Sequence, residues 1–501
     1  MNVFDISLVP PRNEVWPAER PSGFLPLRQL ITKPKLGLPH ARINDSRHSP
    51  ILRAGHLRQK KKNRSQGPCM PSILFVHENF PAQFGGIANY LATQGWRVVF
   101  ATGNEGFSTG RAHQVNGFQV VRYKNSGTGQ TGHPYLAGTE KALRNGQGFA
   151  RVAASLAKGG FTPDVIVAHS GWGSGSFAKV VWPKTKLVQY LEWWYRHPQV
   201  DTVPGQSSKR LEDHHARTIV RNLPFLLDFQ QADLVLSPTE FQASQAPDFV
   251  RAHTVVQHDG IDCRTFRPLV KDEPLLSLKG VPDTAPILTF ATRGMEPLRG
   301  FPDFMAAAAQ LLKDRPDLHV VVAGEDRIAY GPKLPNGESY KTRALAAHDF
   351  DESRLHFPGI LPKGTYARLL RRSAVHAYLT RPFVLSWSLI EAMASGCPLV
   401  TTNVDPVIEA LGPGTPALAV EPGDILKIVR AANTLLDSPD MARAMGRAAR
   451  ERACRFYDSK VCHTRLAAIL SNLVASPVNA RDQIAFSPTA AASTSAHIPM
   501  Q

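Results

Sequence analysis

Short runs of Val, Ile, Leu and Phe recur along the chain from residue 71 onward, and stretches with helical apolar spacing lie between them. Strands that are hydrophobic along their whole length are typical of parallel sheets that helices cover on both faces. The predicted strands form one set at 73–77, 97–102, 118–123, 164–169, 186–191, 233–237 and 253–258, and a second at 286–292, 318–324, 354–359, 374–379, 398–402 and 417–420. Two consecutive sets predict an α/β protein with two doubly wound, Rossmann-like domains that face a cleft.

The same pattern predicts the domain organisation. The first set of strands places an N-terminal domain at 70–270, the second a C-terminal domain at 271–440, and the helical pattern of 441–475 predicts C-terminal helices. Residues 1–69 are rich in Pro, Arg and Lys without a sustained period, so we predict a disordered basic leader, and residues 476–501 predict a disordered tail. Ordered patterning starts directly after Met70, which suggests Met70 as the physiological start.

The positive charge is concentrated at the N-terminus. The chain carries a net charge of +17, and residues 1–69 hold thirteen Lys or Arg against four Asp or Glu. The cluster RQKKKNR at 58–64 is a candidate patch for nucleic acid or anionic lipid. It has no interleaved aromatic residue, which favours a solvated leader and argues against nucleic acid. The smaller excess in the rest of the chain would suit peripheral contact with anionic lipid.

Several classes of protein are disfavoured. The sequence has no apolar run of 18 residues that would span a membrane, and its N-terminus lacks the pattern of a secretory signal peptide. Its five cysteines are odd in number and lack the spacing of a metal site, so we expect reduced thiols. These features predict a cytoplasmic protein, with peripheral contact at the inner face of the membrane as an option.

Two segments could bind an anion. Gly85 and Gly86 open a predicted helix after the first strand, where backbone N–H groups and the helix dipole favour negative charge. The segment is neither a G-x-G-x-x-G fingerprint nor a P-loop, which argues against dinucleotides and ATP-type kinases. Arg293 and Arg299 lie six residues apart at the carboxyl end of a predicted strand. Two guanidiniums there would form a clamp for a diphosphate.

Three further residues could face the cleft. His169 ends a predicted strand, from which it could donate to a substrate oxygen. Glu192 lies in YLEWWYR (190–196), whose aromatic residues would form either an acceptor wall or ordinary core. Glu391 lies on a predicted helix, and a carboxylate there could accept both hydroxyls of a ribose.

These elements, taken in order, resemble the retaining glycosyltransferases of the GT-B fold, in the large group four with a group 1 type C-terminal domain. The resemblance spans roughly 71–475 and is carried by LATQGWRVV, the strand-end His169, HDGIDCRTFRP, the Arg-x5-Arg turn, HFPGILP and LIEAMASGCPLV. It implies retaining transfer, of the hexosyltransferase type, from a nucleotide diphosphate sugar to a hydroxyl of a saccharide or lipid-linked saccharide. Polysaccharide biosynthesis is the matching process.

The resemblance also implies roles for individual residues. Arg293 and Arg299 would bind the donor diphosphate, and Gly86 beside Gly85 would add a backbone contact. Glu391 would hold the ribose, and the backbone near Ile360 would contact the base. His169 would touch the transferred sugar or its acceptor. No Asp-x-Asp motif stands where a metal would be needed, since DFDES (349–353) falls in a predicted loop, so no metal or other cofactor is expected.

The sequence departs from the family pattern at Phe383. The family usually has two glutamates eight residues apart, and the first, which contacts the donor sugar, falls on Phe383 here. Backbone N–H groups of Val384, Leu385 and Ser386 could reach the sugar oxygens instead. Three alternatives stay open: a non-catalytic nucleotide-sugar binder, which Phe383 suggests, a GT-B-like epimerase or phosphorylase, which would share the fold, and a nucleic-acid-binding protein, which the basic leader suggests.

Overall fold

A computed structural model describes residues 70–124, 132–196, 211–330, 334–414 and 416–476. The predicted leader at 1–69 and the predicted tail beyond Ser476 lie outside the described residues. The described chain is built on two sheets, one in each half.

The first sheet is flanked by helices on both faces. Its strands are β1 (Ser72–His77), β2 (Arg97–Thr102), β3 (Ala112–Val115), β4 (Phe118–Arg122), β5 (Val165–His169), β6 (Lys186–Tyr190), β7 (Leu234–Ser237) and β8 (Thr254–Val256). They lie in the order β3-β4-β2-β1-β5-β6-β7-β8, and the described pairs are parallel except β3 with β4. The helices are α1 (Gly85–Thr93), α2 (Ala137–Lys158), α3 (Ala178–Val181), α4 (Leu211–Arg221), α5 (Leu223–Phe229), α6 (Glu240–Ser244) and α7 (Asp248–Arg251).

The second sheet is parallel throughout its described pairs. Its strands are β9 (Ile287–Thr292), β10 (His319–Gly324), β11 (Leu355–Gly359), β12 (Val375–Tyr378), β13 (Leu399–Thr402) and β14 (Leu418–Val420), in the order β11-β10-β9-β12-β13-β14. The helices are α8 (Phe301–Asp314), α9 (Tyr340–Ala347), α10 (Lys363–Arg372), α11 (Trp387–Ala394), α12 (Asp405–Leu411), α13 (Ile425–Asp437), α14 (Pro439–Phe456) and α15 (Ser459–Ala475). Short 3-10 turns lie at Pro297–Arg299 and Pro335–Gly337.

The hydrophobic pattern located the strands well. Each predicted strand is present, with ends that differ by at most two residues, and the two α/β sheets confirm the predicted fold class. The edge strand β3 was missed, because its sequence AHQV is short, half exposed and without an apolar run. The predicted helical segment 441–473 is helical, but it breaks into two helices at Tyr457 and Asp458.

Strand β1 shows why its neighbours must be helices. All six of its residues are buried, and alternate side chains enter different cores. Ile73 and Phe75 pack into the core that also contains α1, whereas Leu74 and Val76 pack against residues of α2 on the other face. A strand buried on both faces needs a layer on each side, which gives the three-layer arrangement.

The last helix returns to the first half of the chain. Helix α14 packs with α11 and α13 of the second half, whereas α15 packs on α1. Leu470 and Leu473 of α15 are buried in the same core as Ile73 and Phe75. The chain therefore crosses between its halves twice, near residue 260 and again after Tyr457, and the two crossings contact each other through Ile261 and Asp458.

Hydrogen bonds also join the two halves beside these crossings. The Glu409 carboxylate of α12 accepts the N–H groups of Glu240 and Phe241 at the start of α6, both at 2.8 Å. The Asp259 carboxylate accepts Tyr190 Oη–H and Trp387 Nε1–H, each at 3.0 Å. Asp259 thus connects the end of β6 to the start of α11.

Burial opposes the charge on Asp259. It raises the pKa of this carboxyl to about 7, while the hydrogen bonds from Trp387 and Tyr190 pull the pKa down. The unfolded pKa of an Asp is about 3.9. Between these two values the folded protein therefore binds more protons than the unfolded chain, so the stability contributed by this group falls as pH rises from about 4 to about 7.

We predict that Leu470→Ala lowers the free energy of unfolding by about 2–5 kcal/mol, because it removes a fully buried side chain from the core that α15 shares with β1. Urea unfolding followed by circular dichroism measures the effect. Leu426→Ala on α13 is the matched control, since Leu426 is 67% exposed and should lose little. Equal losses for the two variants would show that α15 does not stabilise the first half.

We predict that Asp259→Asn raises the thermal midpoint by a few degrees above pH 7, and that the gain disappears towards pH 4. The neutral amide can still accept from Tyr190 and Trp387 but carries no buried charge. Thermal unfolding of variant and wild type at several pH values measures the difference. Asp317→Asn, at an exposed position, is the control. A difference that does not change with pH would contradict the prediction.

Candidate active site

A cleft of about 1480 Å³ lies between the two halves, at the carboxyl ends of both sheets. Its walls come from the loops after β1, β5 and β6 on one side and after β9, β10 and β12 on the other. In open α/β sheets the carboxyl ends of the strands are where ligands bind. We therefore expect the predicted site residues to line this cleft.

The structure brings only part of the predicted site together. Residues of both halves line the cleft: His169, Arg293, Arg299, Val384, Leu385 and Ser386. Gly85, Gly86, Ile360 and Glu391 are not among the lining residues.

The glycine pair has a packing role. A Cβ on Gly85 would lie 2.4 Å from Pro81 Cβ, and one on Gly86 would lie 2.9 Å from His463 Cε1. Both glycines begin α1 as predicted, but they allow close approach to the preceding turn and to α15. The loop just before them contributes Asn79, Ala82 and Gln83 to the cleft instead.

A tight turn aims Arg299 into the cleft. Gly300 follows it with φ of +69°, and a Cβ there would lie 2.5 Å from Leu379 Cβ, so a larger residue would strain the turn. The buried Glu296 accepts the N–H groups of Ala329 and Tyr330 at 2.6 and 2.7 Å. One carboxylate thus holds the loop after β10 beside the arginine turn.

The two arginines lack carboxylate partners. Arg299 donates to the carbonyl of Val384 at 3.2 Å, and its guanidinium lies 5.5 Å from the ring centres of Tyr330 and Phe383. Neither Arg293 nor Arg299 forms an ion pair within 4 Å among the described residues. Two guanidiniums at one wall of a cleft, with no ion pair within 4 Å among the described residues, favour an anionic ligand.

Phe383 joins the halves by apolar contact. Its ring lies 4.9 Å from that of Trp193 and 5.0 Å from that of Tyr330, and it packs in one cluster with Phe241 and Leu298. Trp193 and Phe241 belong to the first half, whereas Phe383, Tyr330 and Leu298 belong to the second. The position at which the resemblance led us to expect a glutamate therefore anchors the two walls together.

Two of the three N–H groups predicted to reach a sugar are engaged within the protein. Leu385 N–H donates to Gln242 Oε1 at 3.2 Å, and Ser386 N–H donates to Tyr378 Oη at 3.1 Å. Val384 N–H has no such bond among the described residues. In this arrangement the loop is held rigidly, and Val384 alone of the three offers its N–H.

The opposite wall carries two histidines and a glutamate. His169 Nδ1 donates to the carbonyl of Ser170 at 3.0 Å, so Nε2 points towards Glu192 Oε2 at 3.5 Å. The His77 ring lies 4.7 Å away, edge-on to His169. Burial and the neighbouring His169 lower the pKa of His77 well below its usual value, so His77 is neutral.

Glu192 is held as an anion. Burial alone would raise its pKa, but His169, Arg299 and the amide of Gln83 outweigh burial and lower the pKa below its usual value. Gln83 Nε2 donates to Oε1 at 3.0 Å. A fixed negative charge therefore faces the arginines across the cleft.

Contacts with α5 and α2 fix the glycine-rich loop that follows β5. Asp228 accepts Gly171 N–H at 2.8 Å and Ser176 Oγ–H at 2.5 Å, and burial raises its pKa to about 6. Gly173 has φ of +77°, and a Cβ there would lie 1.8 Å from the carbonyl oxygen of Ala142. These constraints present the ring of Trp172 to the cleft.

Glu391 lies on the part of α11 that faces α10. Burial raises the pKa of its carboxyl to about 7, and Lys363 at the start of α10 opposes this rise. The Glu391 carboxylate makes no hydrogen bond to a described side chain. Ile360, which precedes Lys363 in the chain, is 70% exposed. Glu391 is partly exposed and does not line the cleft, so the expected ribose contact stays a prediction.

The remaining sequence expectations concern metals and membranes. Among the described residues, no three His, Cys, Asp or Glu side chains group as metal ligands would. Asp351 of DFDES instead pairs with Arg354 at 2.7 Å. None of the described helices combines the length and apolar character needed to cross a bilayer.

Sequence reasoning missed Gln83, Tyr330 and Trp387 as cleft residues. Gln83 follows β1 and Tyr330 follows β10, so the rule that pointed to His169 at the end of β5 also applies to their loops. Trp387 could be found only through its hydrogen bond to Asp259, which joins residues 128 positions apart.

Two family models match the chain, one in each half. The Glycosyl transferase family 4 group matches residues 94–266, and Glycosyl transferases group 1 matches residues 279–452. The matched segments contain most strands of both sheets.

The chain is also similar to individual glycosyltransferases in sequence and in structure. A glycogen synthase from Mycobacterium tuberculosis is 25% identical over 354 residues, which cover 68% of this chain and 78% of that protein. Sucrose-phosphate synthase from Thermosynechococcus elongatus has a similar structure, with a TM-score of 0.62 and 18% identity over 81% of this chain and 100% of that one. HepE of Anabaena, solved in complex with UDP-glucose, gives a TM-score of 0.57 and 15% identity over 80% and 99%.

The structural likenesses show the fold, and the family models show the kind of enzyme. Because both halves match glycosyltransferase models and the two sheets face a cleft as in GT-B proteins, the chain belongs to the GT-B glycosyltransferases of the group 1 type.

Proposed function

We propose that the protein transfers a sugar from a nucleoside diphosphate sugar to a hydroxyl of a saccharide or lipid-linked saccharide, with retention of anomeric configuration. The observation that carries the donor part is the pair Arg293 and Arg299, two cleft guanidiniums without carboxylate partners among the described residues. Such a pair suits a diphosphate, which accepts several charge-assisted hydrogen bonds.

The main catalytic effect would be electrostatic. As the bond between the sugar carbon and the diphosphate breaks, negative charge builds on the departing phosphate, and the arginines stabilise it. Because two guanidiniums supply that charge, we propose that transfer needs no metal ion. The positive charge that develops on the sugar ring lies between this wall and the wall that carries His169 and Glu192.

Contacts between the halves would exclude water from the reacting bond. Phe383 packs on Trp193, and Leu385 is bonded to Gln242 of the other half. A cleft held closed by such contacts limits hydrolysis of the donor. Opening for exchange of substrates would break these contacts.

The known proteins suggest where to begin with the donor. HepE was solved with UDP-glucose, and the glycogen synthase of Mycobacterium tuberculosis builds a polysaccharide, as its name says. We therefore propose a hexosyl donor and a role in polysaccharide biosynthesis, with UDP-glucose, ADP-glucose and GDP-mannose as the first compounds to test.

A non-catalytic nucleotide-sugar binder is the second candidate, and Phe383 favours it. The apolar ring of Phe383, which contacts Trp193 and Tyr330, cannot accept a hydrogen bond from a sugar hydroxyl as a carboxylate would. The donor sugar would therefore lose one hydrogen bond. A donor screen separates the two candidates. Stabilisation by one nucleotide sugar with nucleotide release supports the transferase, whereas stabilisation without release in the presence of varied acceptors supports the binder.

We predict that Arg299→Ala weakens binding of the matching nucleoside diphosphate about 10- to 100-fold, because a charge-assisted hydrogen bond to the diphosphate is lost. Turnover should fall by about 100-fold or more. Titration calorimetry and nucleotide release measure the two effects, and Arg293→Ala should act in the same direction.

Arg430→Ala is the matched control, since Arg430 is exposed on α13 and does not line the cleft. Unchanged thermal midpoints would show that the cleft variants remain folded. Nucleotide affinity equal to wild type in both Arg293→Ala and Arg299→Ala would contradict the proposed diphosphate site.

A further inference from the structure

The wall opposite the arginines carries a carboxylate, Glu192, that faces the cleft. Among the described residues that line the cleft, the acidic side chains are Glu192 and Asp259. Asp259 is engaged by Tyr190 and Trp387 on the same oxygen. The side chain of Glu192 is 34% exposed, so it can still be reached from the cleft.

Contacts on three sides fix Glu192 in place. Gln83 donates to its Oε1, His169 Nε2 lies 3.5 Å from its Oε2, and Gln242 Nε2 donates to its backbone carbonyl at 2.6 Å. Gln242 also accepts Leu385 N–H from the other half, which ties the position of Glu192 to the arginine wall. The carboxylate has lone pairs left over, so it is a preorganised acceptor for O–H groups.

A partly exposed aromatic ring lines the same wall. Trp172 is 38% exposed, lines the cleft and lies 6.2 Å from the His169 ring. Lys141 near the Trp172 ring is already paired with Glu78 at 3.4 Å. This part of the wall therefore offers an apolar face and an anion. Of its cations, Lys141 is paired with Glu78, and Arg221, which also lines the cleft, lies 3.7 Å over the Tyr195 ring.

We infer that Glu192 and Trp172 bind the acceptor as a neutral saccharide. Glu192 accepts hydrogen bonds from ring hydroxyls of the acceptor, and the Trp172 ring packs on its apolar face. A phosphate or carboxylate on the same part of the acceptor is disfavoured, because like charges a few ångströms apart repel. This inference rests on the proposed function, since an acceptor site presupposes transfer.

The charge of Glu192 gives the assignment a specific consequence. Replacing the carboxylate by an amide keeps the shape of the side chain but removes both the strong acceptor and the repulsion. Neutral saccharides should then bind more weakly, whereas phosphorylated ones lose a repulsive neighbour. The ratio of the two affinities is a readout that a merely structural role would not change.

The experiment uses the full chain and matched pairs of saccharides: glucose, fructose, mannose and myo-inositol with their monophosphates. UDP, GDP and ADP are first titrated into the protein, and the saccharides are then titrated with the bound nucleotide present. We expect wild type to bind at least one neutral member at least tenfold more tightly than its phosphate. Glu192→Gln should weaken binding of that neutral saccharide about 10- to 100-fold. The ratio of its affinity to that of its phosphate should fall at least tenfold.

Three variants act as controls. Glu105→Gln, at an exposed carboxylate outside the cleft, should leave every affinity unchanged. Arg299→Ala should weaken binding of the nucleotide. Without bound nucleotide, this variant should still prefer neutral saccharides over their phosphates. Trp172→Ala should weaken neutral and phosphorylated members alike, because it removes the apolar face and no charge.

The outcomes distinguish the two proposals. Wild type that prefers a phosphorylated member, or that binds no neutral saccharide of the panel, overturns the assignment of the acceptor class. A ratio unchanged in Glu192→Gln overturns the role of this residue. Failure of UDP, GDP and ADP to bind overturns the proposed function itself, and it is measured before any saccharide is added.

Discussion

Burial of parallel strands on both faces is the constraint from which the rest of this structure follows. The residues of β1 are at most 8% exposed, so side chains in the middle of this strand cannot reach a ligand. Polar side chains within the strands, such as Gln189, Thr289 and His376, are buried, so polar groups that can reach a ligand stand where the strands end, and parallel strands all end at the same edge. The two edges face each other, so both walls of the cleft are built from strand-end loops.

The two walls carry opposite chemistry. Arg293 and Arg299 stand on the second half, where no described carboxylate lies within 4 Å of them, whereas His169 and the anionic Glu192 stand on the first. The field between them suits a reaction in which a phosphate leaves with negative charge while positive charge develops on a sugar. Such an arrangement has value only if the spacing of the walls is fixed.

That spacing depends on contacts at and around the cleft. The Phe383 ring against Trp193, the Gln242 bridge to Leu385 and the Asp259 bond to Trp387 all join residues of different halves. Phe383 stands where the resemblance implies a glutamate, and its ring holds the two walls together. Under the proposed function, the same side chain would cost the donor sugar a polar contact, so contact between the walls and sugar recognition would compete at one position.

Local sequence pattern was enough to predict the strands and three residues that line the cleft. Continuous apolar runs located the parallel strands, because burial on both faces leaves no other pattern, and strand ends pointed to His169, Arg293 and Arg299. The edge strand β3 escaped, since a half-exposed strand lacks that signature. Three contacts became visible only in the folded chain: Gly86 packs on His463, Phe383 packs on Trp193, and α15 returns to the core of the first half. Those contacts join residues far apart in the chain, and local pattern carries no information about which distant surface a side chain will meet.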